Sequence, residues 1–409
     1  MNKKKLLVIG GGAAGFFCAV NAARLNPDLE VIIAEKTGHV LQKVKVSGGG
    51  RCNVTHACFD IREMAARYPR GENFLRKAFH HFFTTDTIEW FQSRGVPLKT
   101  EDDGRMFPEA NTSQAVIDCL LKEMHSNQVQ LQLHFPVEKI EPLKNGFHIH
   151  YRKGEMMYAD CVMIACGGFS KINQFDWLRN LNLEVESPVP SLFTFNFPGH
   201  PLNKLMGVSA PNAIVKIAGS KKISNGPLLI THWGLSGPAV LRLSAFAARE
   251  LAALNYQFTV LVNWCADYHE QSLTEKIREQ RSQSPAKKVI NGNFTGLASR
   301  LWEFLMEESD IQASKRWADL TTVMINKFAK NCCAYEMKAN GKTTFKDEFV
   351  SAGGIALSEI DVNTMRSKKY NGLYYGGEVM DVDGITGGYN FQHAWTSGYV
   401  AAKAIAGFR

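Results

Sequence analysis

The stretch Leu6–Gly15, LLVIGGGAAG, constrains this chain more than any other. An apolar run ending in Gly10, Gly12 and Gly15 specifies a strand, a tight turn and a helix of a dinucleotide-binding fold. Gly10 permits the turn, Gly12 lets the backbone approach a pyrophosphate, and Gly15 lets the helix lie close on the strand. The phosphates then face the helix N-terminus, where unpaired N–H groups near Gly12, Ala13 and Ala14, together with the helix dipole, favour an anion. The continuation is in order: a helix over Phe16 to Leu25, a Pro27-Asp28 turn, and a second strand, Glu30 to Ala34, that stops at Glu35. Glu35 lies twenty residues past Gly15. An acid there accepts hydrogen bonds from an adenosine ribose and repels a 2′-phosphate.

Lys3-Lys4-Lys5 and the apolar run behind them mimic a secretory signal, but three consecutive glycines make a poor signal helix. A cytoplasmic chain is expected. With 409 residues, 45% of them apolar, the chain can bury a large core in two domains, or three if an insertion is itself divided. The longest membrane-span candidate, Ala239 to Cys265, is broken by Arg242, Arg249 and Glu250, so no membrane partner is expected. Nine scattered cysteines, without a CxxC pair or a zinc spacing, read as reduced thiols, and no metal site is expected. The net charge of +8 is not gathered into a basic tract. It favours anionic ligands and a small-molecule substrate over nucleic acid, and it leaves the oligomeric state open.

Further along, Ser47-Gly48-Gly49-Gly50-Arg51-Cys52-Asn53-Val54-Thr55 reads either as a backbone run flat against a cofactor or as an ordinary tight loop. Alternation in Val129 to Leu133, Gly146 to Tyr151 and Met156 to Asp160 predicts short antiparallel strands, and Cys161 to Ala165 a buried parallel strand. Pro188 and Pro190 mark an exit from the first domain, and Phe349 to Gly354 the return. Gly372 to Glu378 reads as a strand ending in an acid, followed by Thr386 to Asn390 and a helix over Phe391 to Ala406. That helix N-terminus offers unpaired N–H groups to a ligand edge that carries negative charge, with a side-chain hydrogen bond from Asn390.

The fingerprint plus SGGGRCNVT resembles the BaiN/RdsA-like family of NAD(P)/FAD-dependent oxidoreductases, also called aminoacetone oxidase family FAD-binding enzymes. The likeness continues through Glu101 to Pro108 (EDDGRMFP), Thr231 to Pro238 (THWGLSGP) and Gly372 to Gly398. It implies an α/β fold, a Rossmann-like FAD-binding domain of the two-dinucleotide-binding flavoprotein type over 1–189 and 347–409. The inserted domain, 190–346, has a β-rich part (190–266) and a helical part (about 267–340). By resemblance the cofactor residues are Gly10, Gly12, Ala13, Ala14, Gly15, Glu35, Lys36, Lys43, Ser47, Gly48, Gly49, Arg51, Cys52 and Asn53 at the front. Val137 reads adenine, and Cys166, Gly167 and Gly168 lie on the pyrophosphate side. Gly377 and Glu378 approach the ribityl chain, with Asp381 and Asp383 as neighbouring alternatives to Glu378, while Gly387, Gly388, Tyr389, Asn390 and Phe391 approach the ring. Where the family commonly has Gly-Ser-Thr-Gly-Asp-Gly-Tyr, this chain has Phe169 to Trp177, which bears on the mouth of the site.

One noncovalent FAD is therefore expected. No second GxGxxG follows a strand, so NAD(P)H is expected only as a transient donor. His232, Tyr389 and Asn390 are the catalytic candidates, with Arg51, Asn53, Trp233 and His393 also placed near the ring. His232 is read equally as a proton relay or a loop-structuring hydrogen bonder, and Cys52 as a packing residue without a CxxC partner. The activity expected is an NAD(P)H-dependent reductase of a small alicyclic or enone-like substrate. A flavin amine oxidase using dioxygen and a tRNA-modifying or regulatory flavoprotein are the alternatives.

Overall fold

The computed structural model describes residues 3–152, 154–344 and 350–408. The chain divides into two units, Met1–Pro190 with Lys346–Arg409, and Ser191–Phe345. The expected insertion, 190–346, differs from this by one residue at each end; the start of the expected return, Phe349, lies outside the described residues.

In the first unit the strand β1 (Lys4–Ile9) leads into the helix α1 (Ala13–Leu25) and the strand β2 (Leu29–Ala34). β1 lies between β2 and Cys161–Ile164, parallel to both, with Leu6 opposite Val31 and Cys161. Among the described residues this sheet has seven strands, in the order Ile360–Asp361, Arg366–Ser367, Leu373–Tyr375, Cys161–Ile164, β1, β2, Gln130–Gln132. The central strands are covered on both faces, so Leu6, Leu7, Val8 and Cys161–Ile164 form unbroken apolar runs in place of an alternation.

Val129 to Leu133 corrects one expectation. Gln130–Gln132 joins the main sheet parallel to β2, and the antiparallel set is Val137–Pro142, Phe147–Tyr151 and Glu155–Ala159. Period-two alternation reports that one face is covered and says nothing about strand direction. Where the chain leaves for the insertion, Val185–Pro190 pairs antiparallel with Ser351–Ile355, with Pro190 opposite Ser351.

The second unit has an antiparallel sheet in the order Tyr335–Asn340, Gln257–Asn263, Ser209–Ile217, Ile223–Ile230, Gly234–Ser236, Thr194–Asn196, Lys342–Thr343. Trp264, Trp302 and Trp317 are buried in its core, which takes in the helices Glu270–Gln283, Ser299–Glu307 and Thr322–Cys333. Its two parts are less separate than expected. The β-rich part holds the helices Pro238–Phe246 and Ala248–Ala253, and the helical part ends in Tyr335–Asn340, whose alternating buried and exposed residues pair with Gln257–Asn263. No helix among the described residues is long and apolar enough to cross a membrane.

Candidate cofactor site

The three glycines at the entrance to α1 do three different things. Gly10 has φ 112°, and a Cβ there would lie 2.4 Å from the carbonyl oxygen of Ala165. A Cβ on Gly15 would lie 2.0 Å from the oxygen of Gly10, so only glycine lets α1 seat on the turn. Gly12 is different: its backbone is extended (φ −91°, ψ −172°), and a Cβ would meet nothing within 4 Å. Gly12 is also the N-cap of α1, with no side-chain cap and no acid in the first turn. Its open space, beside uncapped N–H groups and the positive end of the helix dipole, fits a diphosphate.

Glu35 is pinned beside this turn. Its Oε2 accepts from Gly11 N at 2.9 Å, and its Oε1 accepts from Thr37 N and Thr37 Oγ1, both at 2.9 Å. Lys36 is exposed, its Nζ 5.8 Å from the centroid of the Phe169 ring. That ring packs edge-on against Phe175 at 4.8 Å, so the segment that departs from the family pattern presents an aromatic near Lys36. Val137 opens its strand opposite Tyr151.

The SGGGRCN segment turns sharply at its glycines, where Gly48, Gly49 and Gly50 are all left-handed (φ 58°, 69° and 85°) and the last two have open Cβ positions. This is a tight loop with free space at Gly49 and Gly50. Lys43 lies on the turn of helix before it, and Ser47, whose ψ of 149° breaks that helix, donates through Oγ to Val44 O at 3.0 Å. Cys52 is buried at φ 61°, and burial pushes its thiol up to about 12, which leaves it a packing residue. Arg51 Nη1 donates to Glu101 Oε1 at 2.5 Å while its guanidinium lies 4.0 Å from the Phe107 centroid. Arg105 Nη2 donates to the other Glu101 oxygen at 3.2 Å. The SGGGRCN and EDDGRMFP motifs are thus one interlocked structure.

At the tail, the strand Leu373–Tyr375 runs out beside β1's partner Cys161–Ile164. Gly377 (φ 70°) is gripped at both ends: Ser397 Oγ accepts its N–H at 2.9 Å, and His393 Nε2 donates to its oxygen at 3.2 Å. Burial drives the His393 imidazole down to about 4, so it is neutral at pH 7, and its Nδ1 is buried without a hydrogen-bond partner among the described residues. Glu378 pairs with Lys43. Gly168 faces Glu378, a Cβ there lying 3.4 Å from the Glu378 oxygen; Gly167 (φ 78°) is open, and burial pushes the Cys166 thiol up to about 12.

The C-terminal helix, Tyr389–Ala406, has Gly388 (φ 91°) as N-cap, no side-chain cap and no acid in its first turn. A Cβ at Gly388 would lie 2.5 Å from Thr55 O. With its amide turned to satisfy both ends, Asn53 donates to Thr55 O (2.9 Å) and Met106 O (3.3 Å) and accepts from Gly388 N (3.0 Å).

Two expected ligands are redirected. Asn390 uses both ends of its amide on Gly384, accepting from N at 2.8 Å and donating to O at 3.0 Å, so its side chain braces the loop. Asp383 is fully buried and accepts from Arg70 Nε at 2.5 Å, which makes it a structural anion. Tyr389 is buried and stacked on His56, and Phe391 stacks on Trp395 at 5.7 Å. His232 belongs to the other unit, where it packs edge-on against Trp233 at 3.9 Å; Trp233 Nε1 donates to Thr194 Oγ1 at 3.1 Å.

Sequence reading missed the braces. Gln392 Oε1 accepts from Thr55 Oγ1 (2.6 Å) and Thr87 Oγ1 (3.0 Å), Trp395 Nε1 donates to Val54 O (2.9 Å), and Tyr68 OH donates to Tyr389 O (2.5 Å). Gln392 and Trp395, in the tail motif, and Val54 and Thr55, in SGGGRCNVT, carried a signal; Tyr68 and Thr87 did not. The two ends of the chain do meet: a Cβ at Gly377 would lie 3.0 Å from Ala14 Cβ, and one at Gly398 would lie 2.8 Å from Ala14 O.

The class is that of a FAD-dependent oxidoreductase built on a Rossmann-type domain with an insertion. The chain belongs to the HI0933-like protein Rossmann domain family, whose profile matches residues 4–404. It is 27% identical over 410 residues to the 3-dehydro-bile acid delta(4,6)-reductase of Clostridium scindens, covering 98% of each chain. It is 28% identical over 420 residues to the ribosomal RNA dihydrouridine synthase of Escherichia coli, covering 99% of this chain and 98% of that one. Among solved structures, 3-ketosteroid delta1-dehydrogenase from Sterolibacterium denitrificans shares the fold, with a TM-score of 0.51 at 14% identity over all of both chains.

Proposed function

We propose that this protein reduces a carbon–carbon double bond conjugated to a carbonyl, using noncovalently bound FAD and a transient NAD(P)H donor. The observation that carries the reading is a pair of uncapped helix N-termini in one unit, those of α1 and of Tyr389–Ala406, with the start of α1 packed at Ala14 against Gly377 and against the middle of the C-terminal helix at Gly398. The first suits a diphosphate. The second suits the edge of a flavin ring that becomes negative on reduction. When bound, FAD supplies hydride transfer through N5.

The chain's own residues then bind and orient. Gly12, Ala13 and Ala14 offer N–H groups to the diphosphate, Glu35 meets the ribose, and the Lys43–Glu378 pair lies toward the ribityl chain. The N–H groups of Tyr389 and Asn390 take the ring edge, held there by Asn53 and Gln392. The substrate class rests on shared chemistry among relatives. A bile-acid delta(4,6)-reductase and a dihydrouridine synthase both add hydrogen across an activated double bond.

A second reading, reduction of a pyrimidine within RNA, is favoured by charge. Residues 191–345 hold eighteen Lys and Arg against eleven Asp and Glu, so the inserted unit carries nearly all of the net +8.

The test is anaerobic. The yellow protein is mixed with NADH, NADPH or a primary amine, and flavin absorbance is followed; a steroid 4,6-dien-3-one is then added. Bleaching by a pyridine nucleotide and recovery of colour on adding the enone are expected. Bleaching only by the amine would replace the reductase with an oxidase. Recovery only with a uridine-containing RNA, bound in a salt-sensitive manner, would establish the second reading.

A further inference from the structure

His56 lies one residue beyond the CNVT segment and against the entrance of the C-terminal helix. Its Nδ1 is 3.0 Å from the oxygen of Gly387, so Nδ1 carries the hydrogen and donates, and Nε2 presents a lone pair. The ring stacks on Tyr389 at 4.8 Å with an interplanar angle of 23°. Nε2 faces Gly104, whose missing side chain makes the room: a Cβ there would lie 2.6 Å from that nitrogen. Nε2 makes no hydrogen bond among the described residues, and the ring is half-buried. The imidazole is therefore held through Nδ1 at the peptide that precedes Gly388, the N-cap of the C-terminal helix, with its basic Nε2 on the far side of the ring, toward Gly104.

We propose that His56 is a positioning residue that holds the Gly387 peptide and receives the second proton when the flavin is reduced. The inference rests on the FAD reading above. FAD, when bound, would take two electrons and one proton as hydride and gain one negative charge, and one solvent proton would then bind His56 Nε2 to form an imidazolium. Charge is balanced across the helix entrance. On oxidation the substrate accepts the hydride, and the proton leaves His56 for the substrate or for solvent.

The surroundings on balance favour the neutral ring. Burial lowers its proton affinity, the Gly387 carbonyl raises it, Arg67 lowers it, Asp103 raises it, and Arg105 lowers it. Tyr389 adds a stacked face that favours a cation. A new negative charge nearby favours the protonated ring.

The experiment compares wild type with His56→Asn, which keeps a donor for the Gly387 oxygen but cannot titrate. FAD stoichiometry is measured first, and a protein that binds no FAD would remove the underlying reading. In FAD-loaded protein the flavin midpoint potential is followed against pH near neutrality, together with proton uptake by an indicator dye during anaerobic NADPH reduction. Wild type should show a slope of about 59 mV per pH unit, two protons per two electrons, and His56→Asn about 30 mV, one proton. Equal slopes and equal proton uptake in the two proteins would overturn the proposal. So would a wild-type slope of about 30 mV, which needs no variant.

Discussion

Two uncapped helix N-termini, which we propose hold the two ends of the cofactor, are built in opposite ways. At α1 everything needed lies within ten residues: Gly10 turns, Gly12 leaves space, and Gly15 seats the helix. At Tyr389–Ala406 the local glycines only permit the conformation. The position is imposed from far away in sequence, by Asn53 on Gly388, Thr55 on Gln392, Val54 on Trp395 and Tyr68 on Tyr389. A phosphate needs only backbone N–H groups and a dipole, which a short motif can encode. A redox ring edge has to be met by donors fixed against both the ring and the reacting partner, and that precision comes from packing.

The sharpest break in this comparison is Gly12→Val. The backbone there is extended and a Cβ meets no protein atom, so the variant should fold but purify colourless, with FAD affinity reduced at least about 100-fold. A fully yellow Gly12→Val would place the diphosphate elsewhere. Gly15→Ala should instead damage the fold itself, by about 3 kcal/mol or more, because its methyl would collide with the Gly10 carbonyl. A denaturation midpoint equal to wild type would show that α1 can shift away at little cost.

At the tail, acid should act through His393. The folded protein keeps this ring neutral down to about pH 4, whereas the unfolded chain protonates near 6.5. Between those values the unfolded state holds more protons, so stability is full above pH 6.5 and declines as pH falls, by up to about 3 kcal/mol. His393→Gln should flatten that slope in urea titrations at pH 7 and pH 4.5. Asn53→Ala should cost about 1–2 kcal/mol and weaken FAD binding by leaving Gly388 N without its acceptor, whereas Asn53→Asp keeps the acceptor and should recover part of the affinity. The smallest signal is expected from Cys52, which should stay unmodified by iodoacetamide at pH 8 when digests are read by mass spectrometry. Rapid labelling would make it a working thiol and not a packing residue.

Much of the first unit was legible because its signals are local. Apolar runs, glycines and a terminal acid locate β1, α1, β2 and Cys161–Ile164 within a residue or a few. The direction of Gln130–Gln132 was not legible, since alternation is the same in parallel and antiparallel edge strands. Nor was the fate of Asn390 and Asp383. Each has the right chemistry to touch a cofactor, but Gly384 and Arg70 occupy them, and no spacing rule links residue 70 to residue 383.

Sequence alone determined that a glycine turn leads from β1 into a helix N-terminus and that a second glycine-rich helix entrance lies at Gly387-Gly388, because both depend on backbone conformations that only particular residues adopt. Tertiary structure alone decided which polar side chains remain available at the second entrance. A side chain's hydrogen-bonding capacity is finite, and whether a neighbour from a distant segment has already filled it is settled only when the chain is packed.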